Sequence, residues 1–147
     1  MNHEQKPTTF TCRVRVYYED TDAGGVIYYA NYLKYLERCR TEWLRSIGYR
    51  QTDLLRDPGI AFVVRKLTIE YLKPARLDDE LIVGLEVERI SRAQIFFRQH
   101  IGYASANGDE SRQELIRAAV HIVCVSAAQM KTVSIPAILR NKLEALQ

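Results

Sequence analysis

Alternation of apolar and polar residues predicts a strand near the start of the chain, and a change of period then predicts a helix. The strand's apolar positions are Phe10, Cys12, Val14 and Val16, each followed by a polar residue or tyrosine. From Asn31 to Ile47 the apolar residues instead fall on one helical stripe: Tyr32, Leu36, Cys39, Trp43 and Ile47. Gly48 suits the left-handed position that ends a helix. We therefore predict a strand, a loop and one long amphipathic helix.

Four long strands are predicted after this helix, because apolar stretches there are separated by turn residues. They are Ala61–Leu72, Glu80–Ile90, Ala93–Tyr103 and Arg112–Ser126. The link at 90–92 is short enough for a hairpin, and 105–108 reads as a plain turn. Ala118–Val125 is apolar on both faces apart from His121, which predicts a central strand.

Three shorter elements complete the prediction: a helix over Gln51–Arg56, an edge strand over Met130–Val133 and a terminal helix over Pro136–Leu146. One long helix followed by an antiparallel meander indicates an α+β fold, in which a curved antiparallel sheet wraps around the helix. We expect a single domain over residues 1–147, with residues 1–8 disordered.

Composition narrows the class of protein without naming a substrate. A hydrophobic fraction of 47% and a charged fraction of 27% are typical of a globular protein. The net charge of +3 could attract an anionic ligand, but it is too small to indicate nucleic-acid binding. Three scattered cysteines favour reduced thiols over a zinc or disulfide framework. No stretch is long and apolar enough for a membrane span, and we expect a cytoplasmic protein.

The segment YYEDTDAGGVIYYANYLKY, from Tyr17 to Tyr35, holds the candidate chemistry. Asp20 or Asp22 could merely cap a turn. Alternatively, Asp22 could act on a carbonyl whose developing oxyanion is held by backbone amides at the helix start. Gly24 and Gly25 permit a positive φ or close approach of a ligand. The next residues supply a shell that excludes water: Val26, Ile27, Tyr28 and Tyr29.

The run YYEDTDAGGVIYYANYLKYLERCRTE resembles the signature of the hotdog-fold acyl-CoA thioesterases of the 4-hydroxybenzoyl-CoA thioesterase family. It is most similar to the YbgC branch, which is associated with the Tol-Pal envelope system. FVVRKLTIEYLKPARLDDEL and VCVSAAQMK carry the same resemblance, so that it covers residues 12–133. It implies a hotdog fold that hydrolyses small or medium acyl-CoA thioesters to free acid and coenzyme A, without metal or cofactor.

The resemblance also implies roles for individual residues. The aspartate at the position of Asp22 either attacks the thioester carbonyl or activates water as a general base. The oxyanion donor is a backbone amide at the start of the central helix, which corresponds to Tyr29. Many YbgC-type members have histidine there, so this chain keeps the backbone donor and lacks the imidazole. The difference bears on rate and acyl preference rather than on the class of reaction.

Substrate-binding residues are predicted around this motif and at four basic positions. Gly24, Gly25, Val26 and Tyr28 would contact the acyl part. Four cations could bind the phosphates of coenzyme A or could be ordinary surface charges: Arg65, Lys66, Arg92 and Lys131. Glu37 falls off the apolar stripe and is interpreted as a solvated carboxylate. His100 and His121 are interpreted as structural.

The family also implies homo-oligomers, dimers with a shared sheet that usually form tetramers, with active sites at the interface. Pairing would remove an open antiparallel edge. An alternative from another class is a scaffold that binds acyl carrier protein in phospholipid or envelope metabolism, with weak hydrolysis. A hotdog dehydratase is disfavoured because no histidine stands in or near the motif.

Overall fold

The computed structural model describes residues 9–104 and 114–146. The predicted terminal segment 1–8, the turn at 105–108 and the beginning of the last predicted strand lie outside the described residues. Within them the elements follow the order β1 (Phe10–Arg15), α1 (Asn31–Ser46), α2 (Gln51–Arg56), β2 (Ile60–Tyr71), β3 (Glu80–Ile90), β4 (Gln94–Tyr103), β5 (Glu114–Ser126) and α3 (Ala137–Glu144). The bounds agree with the predicted ones to within two residues.

The five strands form one antiparallel sheet in the order β1-β3-β4-β5-β2. The predicted meander is confirmed for β3, β4 and β5, but it is wrong for β2. That strand pairs with β5 from Ile60↔Ser126 to Tyr71↔Ile116 and occupies the far edge of the sheet. A continuous meander would have left β5 at an edge, with backbone groups of the most apolar strand unpaired. Pairing with β2 makes β5 a central strand, as its sequence predicts.

The long helix α1 lies against one face of the sheet, closest to β1 and β3. The predicted stripe is buried except for Ile47, which is half-buried, and Tyr35 and Leu44 are buried as well. Burying a side chain such as Leu36 stabilises the fold by about 1.5–3 kcal/mol. The helix ends as predicted at Gly48, whose φ is +98°. The amides of Gly48 and Tyr49 donate to the carbonyls of Arg45 and Leu44, which pairs the last turn.

The segment after β5 does not form the predicted edge strand at Met130–Val133. Its one bridge is Val125↔Thr132, and the Val133 amide donates to the Cys124 carbonyl. Met130 has φ +55°, so the chain turns back at that residue instead of extending along the sheet. The helix predicted to follow is confirmed as α3.

A bulge interrupts the edge strand β2 at Arg65. The pairing register passes from Val64↔Ile122 directly to Lys66↔His121, so that Arg65 has no opposite residue on β5. Because of this extra residue, Val64 and Leu67 face the same side of the sheet as α1 although they are three positions apart. Lys66 faces the opposite side.

The three cysteines are free thiols, as predicted; Cys39 and Cys124 are buried and Cys12 is half-buried. Across the described ranges, no helix combines the length and apolar character needed to cross a membrane.

Candidate active site

A tight hairpin presents Asp22 directly before the long helix. The Tyr28 amide donates to the Asp20 carbonyl at 3.0 Å, Thr21 bridges Ile27, and the Asp22 amide donates to the Val26 carbonyl at 2.9 Å. The glycines that follow Asp22 form the tip, where Gly25 has φ +77°. The hairpin therefore folds the segment that carries the carboxylate back on the residues that begin α1.

The two aspartates of this hairpin are used differently. The Asp20 Oδ2 atom accepts a hydrogen bond from the Tyr17 amide at 2.9 Å, and its carbonyl accepts another from Asn31 Nδ2 at 2.9 Å. Asp22 is exposed, and its Oδ1 atom accepts one hydrogen bond from the Gly24 amide at 2.8 Å. No donor among the described residues pairs with Asp22 Oδ2. Asp20 is thus a structural cap, whereas Asp22 caps its turn with one oxygen and keeps the other available.

The cap brings the Asp22 carboxylate close to Gly24. A β-carbon at residue 24 would lie 3.2 Å from Asp22 Oδ1, tighter than ordinary van der Waals contact. The predicted positive φ is confirmed at Gly25, whereas the atom that approaches Gly24 is the carboxylate oxygen of Asp22, and close approach of a ligand there stays a prediction.

The start of α1 offers amide groups without internal partners. Ala30 is the N-cap residue, and its side chain makes no capping hydrogen bond. The Asn31 amide donates to the Tyr28 carbonyl at 2.8 Å, but no acceptor among the described residues pairs with the Tyr29 amide. Unpaired amides at a helix start stabilise negative charge. Tyr29 itself is 60% exposed, so a ligand can approach this backbone.

The helix start is fixed to the segment between β2 and β3 through the buried Ala75. Its amide donates to the Tyr32 hydroxyl at 3.0 Å, and its carbonyl accepts from the Ile27 amide at 2.9 Å. The Tyr71 hydroxyl donates to the Tyr29 carbonyl at 3.5 Å. Beside these contacts lies an open cavity of about 280 Å³, which Tyr29, Tyr71 and Lys73 help to line. Tyr71 and Lys73 were not predicted as site residues.

A second cavity, of about 140 Å³, lies between the later turns of α1 and the concave face of the sheet. Arg40 lines it, and its Nη1 atom donates to Gln99 Oε1 at 2.9 Å. Gln99 Nε2 donates in turn to the Leu36 carbonyl at 3.0 Å. Burial lowers the pKa of Arg40, and the nearby Glu37 carboxylate opposes that shift. Glu37 is exposed, as predicted, although it also lines this cavity.

Sequence reasoning missed Arg40 and Gln99, although a signal for Gln99 was present. Gln99 stands in phase with the inward apolar residues of β4, namely Ile95, Phe97 and Ile101. A polar residue in a buried phase requires a hydrogen-bonding partner. Arg40 is that partner, and it lies at the edge of the apolar stripe of α1, directly after the buried Cys39.

The four predicted basic residues do not gather at the Asp22 hairpin. Arg65 and Lys66 are exposed near the middle of β2. Arg92 donates to Ser134 Oγ at 2.6 Å, and the Lys131 carbonyl accepts from the Ser126 amide. Ser126 pairs with Ile60, so this second pair lies at the end of β2 opposite Tyr71. The two ends are roughly 36 Å apart, since the 12 residues of β2 are separated by 11 intervals with a rise of about 3.3 Å each.

His100 and His121 have packing partners. The His121 ring stacks on Phe96 with centroids 4.2 Å apart, and its pKa is lowered by burial and by neighbouring cations. The His100 ring covers Gly84 so closely that a β-carbon there would lie 2.2 Å from it. Among the described residues, no three histidine, cysteine or acidic side chains cluster as metal ligands would.

The thioesterase superfamily model matches residues 24–102 of the chain. The acyl-CoA thioesterase YbgC of Haemophilus influenzae is 44% identical over 127 residues, which cover 86% of this chain and 88% of the relative. The acyl-CoA thioester hydrolase YbgC of Escherichia coli is also 44% identical, over 88% of this chain and 91% of the relative.

Solved structures agree with this similarity and confirm the predicted hotdog fold. The 1,4-dihydroxy-2-naphthoyl-CoA thioesterase of Synechocystis superposes with a TM-score of 0.81 at 27% identity, covering 92% of this chain and 96% of that one. A 4-hydroxybenzoyl-CoA thioesterase variant, solved with 4-hydroxybenzoyl-CoA, shares the fold with a TM-score of 0.83 at 18% identity, covering 92% of this chain and 98% of that one. The chain belongs to the thioesterase superfamily.

Proposed function

We propose that this chain hydrolyses acyl-CoA thioesters with small or medium acyl groups to a free acid and coenzyme A. The named activity of relatives at 44% identity supports the reaction. One observation is the main support for the proposal: the hairpin and the residue that follows it present two groups without partners among the described residues. These groups are Asp22 Oδ2 and the Tyr29 amide. Thioester hydrolysis needs these two functions, a carboxylate to start the attack and a donor for the oxyanion.

The reaction adds an oxygen nucleophile to the thioester carbonyl carbon. Asp22 either takes a proton from the attacking water, as a general base, or is itself the nucleophile that adds to the carbonyl carbon. In both routes the carbonyl oxygen becomes an oxyanion, which the Tyr29 amide stabilises at the positive end of α1. The carbon–sulfur bond then breaks, and the coenzyme A thiolate leaves and takes up a proton. When Asp22 is the nucleophile, this step leaves an anhydride, which water then hydrolyses to the free acid and the Asp22 carboxylate. Gly24, Gly25, Val26 and Tyr28 are the proposed contacts of the acyl group with this hairpin.

We propose that a second copy of the chain completes the site by pairing along β2. The open edge of that strand and its continuation expose Val64, Tyr71 and Leu72, between 43% and 51% of each side chain. Antiparallel pairing of two β2 strands would bring the beginning of one strand beside the end of the other. Arg92 and Lys131 of one protomer would then approach Tyr29 of its partner and could bind coenzyme A phosphates there. Arg65 and Lys66 would lie near the two-fold axis, where both protomers could present them to the nucleotide.

The decisive experiment measures thiol release from acyl-CoA and acyl-carrier-protein substrates by the native chain, Asp22→Asn and Asp20→Asn. The amide oxygen that Asp22→Asn introduces can still accept from the Gly24 amide, so that only the charged oxygen is lost, and we expect kcat/KM to fall by about 10²–10⁴-fold. Asp20→Asn is the matched control, because an amide oxygen can still cap the Tyr17 amide. Unchanged hydrolysis by Asp22→Asn would remove Asp22 from the mechanism. If the native chain cleaves no thioester but binds acyl carrier protein, the scaffold alternative is supported instead.

The Tyr29 assignment concerns the backbone and is tested by two substitutions. Tyr29→Phe keeps the amide and should retain most of the activity. Tyr29→Pro removes the N–H, and we expect kcat to fall by about 10²–10³-fold, the effect of losing one oxyanion donor. Circular dichroism and thermal unfolding establish that both variants are folded. A folded Tyr29→Phe variant that loses activity as completely as Tyr29→Pro would contradict the backbone role.

A further inference from the structure

The 140 Å³ cavity contains a charged group whose hydrogen-bonding capacity is largely unused. Gln99 is 1% exposed and is the buried polar side chain of the described core. It holds the Arg40 guanidinium through one hydrogen bond of 2.9 Å and is itself held by the Leu36 carbonyl. A guanidinium has five N–H donors. Among the described residues, no second acceptor pairs with Arg40.

The unused donors matter because Arg40 is half-buried, so that water reaches only part of the guanidinium. Burial lowers the pKa of Arg40. Glu37 does not compensate by direct contact: its Oε1 atom accepts from the Thr41 hydroxyl at 2.9 Å, and no ion pair joins it to Arg40 within the described residues. A ligand oxygen facing the guanidinium would restore the missing hydrogen bonds, most strongly if it carried negative charge.

The remaining walls of the cavity limit the size and character of that ligand. Trp43, Phe62 and Ile122 provide an apolar lining. A cavity of about 150 Å³ in another protein accommodates one benzene ring. The cavity here is slightly smaller, so that it suits a chain of roughly four to six heavy atoms by the same comparison. The ligand that fits this cavity is short, is apolar along its length and carries an oxygen at its end.

We propose that this cavity is the acyl subsite, and that Arg40, positioned by Gln99, selects short acyl groups whose far end carries an acceptor oxygen, above all a carboxylate. The inference rests on the proposed thioesterase function and on β2 pairing. Phe62 and Val64 line the cavity near the beginning of β2. Antiparallel pairing would bring that end beside Tyr71 and Tyr29 of the partner, so that one protomer would supply the reacting hairpin and the other the acyl subsite.

Three thioesters with four-carbon acyl groups test the proposal on the native chain. Butyryl-CoA ends in a methyl group, acetoacetyl-CoA carries a neutral oxo group, and succinyl-CoA ends in a carboxylate. After subtraction of uncatalysed hydrolysis, kcat/KM for succinyl-CoA should exceed that for butyryl-CoA by about tenfold or more, the effect of one charge-assisted hydrogen bond, with acetoacetyl-CoA between them. Equal values, or a preference for butyryl-CoA, overturn the proposal. Failure to cleave any thioester would instead count against the thioesterase function.

Variants then assign the preference to the guanidinium. Arg40→Met keeps the aliphatic length without the donors and should bring the succinyl to butyryl ratio of kcat/KM close to one. Arg38→Met is the matched control, because Arg38 lies on the same helix but is exposed, and it should keep the native ratio. Gln99→Met leaves Arg40 in place but releases it, and the ratio should fall while remaining above one.

Two outcomes among the variants contradict the proposal. If Arg40→Met is folded and keeps the native ratio but changes the oligomeric state, the guanidinium belongs to a contact between subunits. If Arg40→Met does not fold, Arg40→Lys provides the test: it keeps the charge but loses the planar fork, and its ratio should lie between the native value and one. An Arg40→Lys variant with the native ratio would show that the fork held by Gln99 does not select the acyl group.

Discussion

Substituting Tyr32 by phenylalanine is expected to destabilise the protein, because among the described residues the hydroxyl of Tyr32 is the sole partner of a buried amide. Ala75 is completely buried, and its N–H donates to the Tyr32 hydroxyl at 3.0 Å. Phenylalanine fills nearly the same volume, so packing is kept while the acceptor is lost. Leaving a buried donor unsatisfied costs about 1–3 kcal/mol. With a urea m-value of about 2 kcal/mol/M, the unfolding midpoint should fall by roughly 0.5–1.5 M.

Tyr35→Phe is the matched control on the same helix. The Tyr35 ring is as deeply buried, but its hydroxyl has no hydrogen-bonding partner among the described residues. Burial raises the pKa of Tyr35, and the nearby Asp20 carboxylate raises it further. Removing this hydroxyl should change stability by less than about 0.5 kcal/mol.

Urea unfolding at one fixed protein concentration measures both variants, since association would contribute to the stability of an oligomer. Hydrogen exchange at Ala75 provides a local readout, and this amide should exchange faster in Tyr32→Phe. Equal losses of stability in the two variants would refute the reasoning, because the loss would then come from the ring environment rather than from the hydrogen bond.

Three further predictions concern crowding, backbone conformation and pH. Gly84→Ala should cost about 1–3 kcal/mol in thermal unfolding, because its β-carbon would meet the His100 ring at 2.2 Å; in a His100→Ala background the cost should largely disappear. Gly25→Ala, at φ +77°, should cost about 1–2 kcal/mol although nothing crowds the site, and a neutral result would contradict the hairpin geometry. The folded pKa of His121 is lowered, so the unfolded state binds the proton more readily; stability should decline as pH falls below about 6.5, and less so in His121→Phe, as measured by urea midpoints between pH 7.5 and 5.

The local elements of this fold were predictable from sequence because each is specified by its own periodicity. The stripe of α1 and the bounds of β3 follow from residues that alternate or recur within one segment. Strand pairing is different, since the pattern of β2 does not say which strand lies beside it. The two apolar faces of β5 did indicate a central strand. Because β5 is the last long strand, its second neighbour had to be an earlier one, and that reasoning would have excluded a simple meander.

In the candidate site too, the parts formed by one segment were predictable from sequence, whereas the contacts between distant segments were not. The Asp22 hairpin and the Tyr29 amide are contiguous in sequence, and they were predicted as one segment. Arg40 and Gln99 are 59 residues apart and meet only because α1 crosses β4. The proposed role of Arg40 was also hard to predict because it depends on the partial burial of its side chain, which the composition of the sequence does not reveal. The single polar residue in the buried phase of β4 was the available indication.

The bulge at Arg65 gives the edge strand an unusual tolerance to a change in length. With Arg65 left out, Phe62, Val64 and Leu67 would follow one another at strict two-residue intervals on the side that faces α1. A one-residue deletion at this point would therefore preserve the inside and outside of β2, whereas the same deletion at Thr68 would exchange them for the rest of the strand. For the packing of the core, Arg65 is a spacer between two half-strands: deleting it would remove its proposed contact with the nucleotide but would leave the core beneath this edge unchanged.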